Sequence, residues 1–265
     1  MSRTMRRPGS RAATNTAPAP AAGAGWDGAP RAPLALGVPA YFSPVRESGE
    51  WTRLAAAPPG TVIIVNPDSG PDPGMRGDYA AAVAASRRRG CLVYGYVDTA
   101  YGARDARAVV ADAHAYRFDL GVDGVFLDRA GCDREALAGL ESVARSVRPW
   151  GLRVAVNPGH PQVPAEVLDM FEEVVLFEGP LDMYADLPER GDVDTRPRPG
   201  RRWHLVYGVR SASVMAAVLT VASWRGADVV YVTDGHLPNP WEALPDYWDR
   251  QVDAVSRTAP TPVLP

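Results

Sequence analysis

The residues of this chain that could do chemistry fall at the ends of short apolar runs. Asp128 closes the stretch Gly121-Val122-Asp123-Gly124-Val125-Phe126-Leu127-Asp128, and Glu178 directly follows Val174-Val175-Leu176-Phe177. A carboxylate at the end of a buried strand is either a cap for the next turn or an acid held at the mouth of a fold. Two such groups held about 5 to 9.5 Å apart suit glycoside hydrolysis, in which one carboxyl protonates the leaving oxygen and the other attacks or activates water. Asp128 and Glu178 are therefore the candidate catalytic pair. Asp128 is read as nucleophile or charge stabiliser and Glu178 as general acid/base of a retaining enzyme, with the reverse assignment open. This chemistry needs neither a metal nor an organic cofactor.

Other polar residues recur at the same kind of place. Tyr41, Asn66, Asp98, Asn157, Arg210 and Asp234 each stand at or just past the end of an apolar run. Asp and Asn are ordinary turn formers, so each of these taken singly reads first as loop chemistry. Glutamate is a weak turn former, which makes Glu178 the hardest to dismiss. Taken together they supply sugar contacts from Asn66, Asp98, Asn157 and Asp234. Tyr41, Tyr96, Tyr101, Trp203 and Tyr207 add possible stacking surface, although most such aromatics simply pack.

The elements needed to gather these residues follow from apolar patterning. Strands are predicted over Leu34 to Phe42, Thr61 to Val65, Cys91 to Val97, Val125 to Leu127, Leu152 to Val156, Val174 to Phe177, His204 to Tyr207 and Val229 to Val232. Between them lie helical segments over Glu50 to Ala57, Tyr79 to Arg89 with Asp78 as its cap, Asp105 to Tyr116, Arg134 to Val147, Pro164 to Phe171, a turn in Leu181 to Leu187, and Ser213 to Trp224. A last helix is expected over Trp241 to Val255. Regular alternation of this kind predicts an α/β fold with a single (β/α)8 barrel of the TIM type, possibly irregular, whose strand exits share one face. The strand entries show no comparable set of polar residues.

Residues 33–257 form the predicted barrel, 1–32 an Ala-, Pro- and Arg-rich disordered leader, and 258–265 a proline-rich tail. A net charge of -3 and a pI near 5.8 argue against nucleic acid as partner. Cys91 and Cys132 belong near opposite ends of the barrel and are not expected to pair. No apolar run is long enough to span a membrane, and the Arg6-Arg7 pair is not followed by the apolar region of an export signal.

Several ordered stretches carry a resemblance. VPAYFSP, VIIVNPDSGP, VYGYVDTAYGAR, VDGVFLDRAG, VAVNPG and VVLFEG, in this order and spacing, resemble the spherulin-4 (spherulation-specific family 4) barrels, strongly from Leu34 to Tyr184 and more faintly to Asp246. The resemblance implies a (β/α)8 glycoside hydrolase of the type that includes fungal endo-α-1,4-N-acetylgalactosaminidases, acting on galactosamine-containing exopolysaccharide and so expected outside the cell. Family members commonly carry an Asp-Glu pair at the fourth strand exit and a Glu at the sixth. Asp128 matches the aspartate, Glu178 the later glutamate, and Arg129 stands where the second acid of the pair is usual. A guanidinium there is expected to lower the pKa of Asp128 and to contact substrate. Loss of that acid also motivates an alternative, a barrel that binds glycan without cleaving it. A third reading gives the arginine-rich loop from Pro188 to Arg202 to a protein partner.

Overall fold

The computed structural model of the protein describes residues 33–159, 163–187 and 200–258. The predicted leader, His160, the tail beyond Thr258 and most of the arginine-rich loop lie outside the described residues.

Eight parallel strands close into one barrel in chain order. They are β1 (Ala35–Ala40), β2 (Val62–Val65), β3 (Leu92–Asp98), β4 (Gly124–Asp128), β5 (Arg153–Val156), β6 (Glu173–Pro180), β7 (Arg201–Tyr207) and β8 (Val229–Val232). The last strand closes on the first through Ala35↔Val229 and Leu36↔Val230. The helices between them are α1 (Ser48–Leu54), α2 (Met75–Arg88), α3 (Ala106–Ala115), α4 (Arg134–Val147), α5 (Ala165–Met170), α6 (Leu181–Ala185), α7 (Ala212–Trp224) and α8 (Trp248–Thr258).

Local chemistry explains most boundaries. Asp105, Asp133 and Ser211 each accept backbone N–H groups at the start of α3, α4 and α7, as short polar side chains at that position do. Asp78 is not such a cap. Helix α2 starts earlier, at Met75 after Gly74, and Asp78 falls in its first turn, where a carboxylate suits the helix dipole. The last helix also differs from expectation, beginning only at Trp248. Pro245 lacks a backbone N–H to donate, and its carbonyl instead accepts from the Trp248 N–H at 3.0 Å as α8 begins.

Register decides which side chains enter the barrel. Trp203 is wholly buried, and its ring lies 6.4 Å from that of Tyr94 and 6.0 Å from that of Phe126. Trp203 therefore faces inward with its register partner Val175, and register carries one inward row through Tyr96, Phe126, Ala155 and Glu173. Room for the indole comes from Gly37, where a Cβ would sit 2.5 Å from Trp203 Cζ3.

Strand β6 departs from regularity at the place that matters most. Val175 pairs with Trp203, but Phe177 pairs with His204, so Leu176 is an extra residue. Along an unbroken strand, side chains alternate faces, and Glu178 would point outward like Leu176. The bulge shifts the phase, and Glu178 lies opposite Leu205 on the inner row. The strand also runs on to Pro180, past its expected end at Phe177.

The entry face is not empty of polar groups, contrary to expectation. Glu173 is buried, accepts the Tyr94 hydroxyl at 2.6 Å and meets Arg201 through both carboxylate oxygens at 2.8 Å. Arg153 approaches the same carboxylate at 3.8 Å. These residues begin β5, β6 and β7, where neutral-looking apolar runs hid them.

Gly37→Ala should press a methyl group against Trp203 and Val229 and cost about 1–3 kcal/mol, lowering the melting temperature by roughly 3–10 °C. An unchanged melting temperature would mean that residue 37 does not face the barrel interior.

Candidate active site

The inner rows end at the exit face in Tyr41, Asn66, Asp98, Asp128, Asn157, Glu178 and Tyr207. Asp98 pairs with Asp128 in register, and Glu178 stands one strand beyond Asn157.

Asn157 links the two carboxylates. Its Nδ2 donates to Asp128 Oδ1 at 2.7 Å and, through a very short bond, to Glu178 Oε2. Two oxygens bonded to one nitrogen lie no more than about 6 Å apart. The amide is held from every side. Its Oδ1 accepts the Gly159 N–H at 3.0 Å, which fixes which end of the amide is the donor, and the backbone of Asn157 bonds to Leu127 and Ala130. Asn157 is itself wholly buried. Its amide is engaged by the two carboxylates, at a position for which sequence patterning pointed to a sugar contact.

Asp128 has a second donor, the Tyr96 hydroxyl, at 2.8 Å from Oδ2. The ring of Tyr96 packs edge-on against Tyr41 at 5.5 Å. Burial pushes the Asp128 carboxyl up from the usual carboxylate range, while hydrogen bonds from Tyr96, the Arg129 backbone and Asn157 pull the other way. For Glu178, burial and then the Asp128 charge raise the pKa to about 7, with the side chains of Asn157 and Trp241 opposing. Burial, followed by the charges of these two acids, also holds the Tyr41 hydroxyl protonated well above its ordinary range. The site thus places two carboxyls side by side, both raised by burial, with Glu178 titrating near neutral pH.

Arg129 does not serve Asp128 as expected. Its backbone is left-handed, with φ of 50°, which carries the side chain off to Asp98, where Nε meets Oδ1 at 3.2 Å. The guanidinium lies 5.3 Å from the centre of the Tyr101 ring. What Arg129 lends Asp128 is a backbone hydrogen bond that lowers its pKa, and burial outweighs it, so the pKa is raised.

The remaining candidates divide between rim and loop roles. Asn66 Oδ1 accepts the Gly70 N–H at 3.0 Å and shapes the loop after β2. Asp234 Oδ2 accepts the Asp246 N–H at 3.1 Å. Arg210 is exposed, beyond the end of β7, and the exit of that strand is occupied by Tyr207. Tyr207 packs edge-on against Trp241 at 6.0 Å, and Glu178 adds to burial in raising its pKa. Two residues at the site were missed in these roles. Tyr96 was legible, because it shares the alternation of Asp98 in Tyr94-Gly95-Tyr96-Val97-Asp98. Trp241 was not, since it sits in a proline-containing loop without periodicity, where its carbonyl accepts the Tyr41 N–H at 3.2 Å. Among the described residues, no group of three or more His, Cys, Asp or Glu side chains could hold a metal ion. Both cysteines are free.

The raised pKa of Glu178 has a measurable sign. A carboxyl whose folded pKa lies above its unfolded value stabilises the fold fully below the unfolded value, and that contribution is lost as pH rises through the folded one. Glu178→Gln, which cannot ionise, should therefore match the wild type in melting temperature near pH 4.5 and exceed it above about pH 7. Parallel melting curves across that range would contradict the assignment. Arg129→Glu should set a carboxylate against Asp98 and destabilise the loop by about 1 kcal/mol at low salt, an effect that shrinks as salt is added.

Comparison with known proteins agrees with the fold. A barrel of Sph3 from Aspergillus clavatus, solved in complex with GalNAc, superposes with a TM-score of 0.71 at 21% identity, covering 85% of this chain and 98% of that one. A GH18 chitinase from Pseudoalteromonas aurantia superposes with a TM-score of 0.56 at 10% identity, covering 84% of this chain and all of the other. Spherulin-4 of Physarum polycephalum is 28% identical over 240 residues, which span 84% of this chain and 70% of that protein. The model of spherulation-specific family 4 matches residues 35–255, nearly the whole barrel, and the chain belongs to that family.

Proposed function

We propose that the protein is a glycoside hydrolase of amino-sugar polymers, with Glu178 as general acid/base and Asp128 as the ionised partner. Family membership and the likeness to a barrel solved with GalNAc support a role in binding or hydrolysing carbohydrate. The observation that carries the finer reading is the single Asn157 amide bonded to both carboxylates.

Protonated Glu178 donates its proton to the glycosidic oxygen as the bond to the anomeric carbon breaks. Asp128, ionised and oriented by Tyr96 and Asn157, attacks that carbon as the glycosidic bond breaks and forms a covalent glycosyl ester. The upper bound of about 6 Å set by one shared amide favours the short separation of retaining enzymes, about 5–5.5 Å, over the wider spacing with which inverting enzymes seat a water. In the second step, Glu178, now ionised, takes a proton from water as its oxygen attacks the anomeric carbon and Asp128 is released. The substrate favoured by the family resemblance is an α-1,4-linked polymer of galactosamine or its N-acetyl form, cut internally.

Arg129 supports a second reading, a barrel that binds glycan without turnover, because it replaces the usual second acid. The two readings separate in one assay. Release of reducing ends from an amino-sugar polymer panel should fall at least about 100-fold in Glu178→Gln and in Asp128→Asn, and wild-type activity should decline as pH rises through about 7. Binding by calorimetry with no product over days would instead establish the non-catalytic barrel.

A further inference from the structure

The loops after β3 and β4 meet in an arrangement that burial does not explain. Ala100, Tyr101 and Arg129 all have left-handed backbones, with φ of 48°, 55° and 50°. Non-glycine residues in that region cost on the order of 1–3 kcal/mol each and persist only where surrounding contacts enforce them. Here the contacts are many. The Arg129 carbonyl accepts the Tyr101 N–H at 2.6 Å and the Thr99 hydroxyl at 2.8 Å, and Asp98 Oδ1 accepts the Ala100 N–H at 2.7 Å. Gly131 lets the two loops touch, because a Cβ there would lie 2.5 Å from the Tyr101 carbonyl oxygen.

What this framework presents is open to solvent. Tyr101 is 56% exposed and the Arg129 side chain 47% exposed. Arg129 uses Nε on Asp98, and among the described residues its two Nη groups have no hydrogen-bond partner. A guanidinium only donates, so whatever completes it must bring acceptor oxygens. The neighbouring phenol ring offers a flat apolar face of the kind on which a sugar ring stacks. Gly159, two residues after Asn157, stands beside the Tyr101 hydroxyl, 3.7 Å from where its Cβ would be, so the platform adjoins the catalytic pair.

We propose that Tyr101 and Arg129 form an outer sugar subsite for a ring bearing a carbonyl-type acceptor, either an acetamide or a carboxylate, and that it disfavours a free ammonium at that position. This rests on the reading of the barrel mouth as a carbohydrate site. The fork of Nη donors takes the acceptor while Tyr101 takes the ring face. A family-typical acid at residue 129 would offer neither contact.

The test uses Glu178→Gln protein, so that ligand is not cleaved, titrated calorimetrically with oligosaccharides of N-acetylgalactosamine, galacturonate and galactosamine of equal length. Tyr101→Asn and Arg129→Asn are suitable variants, since Asn tolerates left-handed backbone and should keep the loops. The expected result is tight binding of one acceptor-bearing oligosaccharide, weakened about 3- to 10-fold by Tyr101→Asn and at least about 10-fold by Arg129→Asn, with the galactosamine oligomer weakest. Preference for the N-acetylated or the uronate oligomer tells which acceptor is read. Unchanged affinity in both variants, or tightest binding of the galactosamine oligomer, would overturn the subsite while leaving the carbohydrate reading in place. Failure of all three oligomers to bind would remove that reading and the subsite with it.

Discussion

Two carboxyl groups bonded to one buried amide set the terms for the rest of the site. At such a separation, in partly desolvated surroundings, two ionised carboxylates repel strongly, and the pair relaxes by one member holding its proton. Which member does so depends on the donors available. Asp128 has Tyr96 and the Arg129 backbone in addition to Asn157, whereas Glu178 has the Asn157 amide and the Trp241 side chain against deeper burial. Burial raises both carboxyls first, the Asp128 charge raises Glu178 further, and the larger set of opposing hydrogen bonds falls to Asp128.

That asymmetry depends on a defect in a strand. Without the extra residue Leu176, regular alternation would send Glu178 toward the helices, and Asn157 would bond Asp128 alone. The packing below constrains the bulge. Val175 remains in register with wholly buried Trp203, and Phe177 is turned outward onto Tyr184, ring centres 4.8 Å apart. The filled interior therefore fixes where the phase can change, and the site inherits its geometry from the core.

The barrel was legible because each strand is a short apolar run and helical segments alternate with the strands in order. The inward row at the exits was legible for the same reason, since Asn66, Asp98, Asp128 and Asn157 continue the alternation of their strands. Glu178 was found for an incomplete reason: its position after Phe177 pointed to the mouth, but only register reveals the bulge that aims it there. Arg129 was misread because proximity in sequence to Asp128 says nothing about a left-handed backbone that turns the side chain elsewhere. The cluster around Glu173 escaped notice because it draws single residues from four strands, and no local pattern records such a meeting.

Glu173 and Glu178 make a comparison within one strand. Both lie on the inner row of β6, an odd number of residues apart, which only the bulge permits. At the entry end, Glu173 is matched by the two-pronged contact of Arg201 and by the Tyr94 hydroxyl, so its charge is satisfied in place. At the exit end, among the described residues, no cation meets Glu178. A buried acid with a full complement of partners consolidates a fold, since removing any partner leaves an uncompensated charge. A buried acid denied a cation stays poised to exchange its proton, and its instability as an anion is what makes it useful as a donor. The same side chain, five positions along one strand, is matched by an arginine at one end of the barrel and, among the described residues, meets no cation at the other.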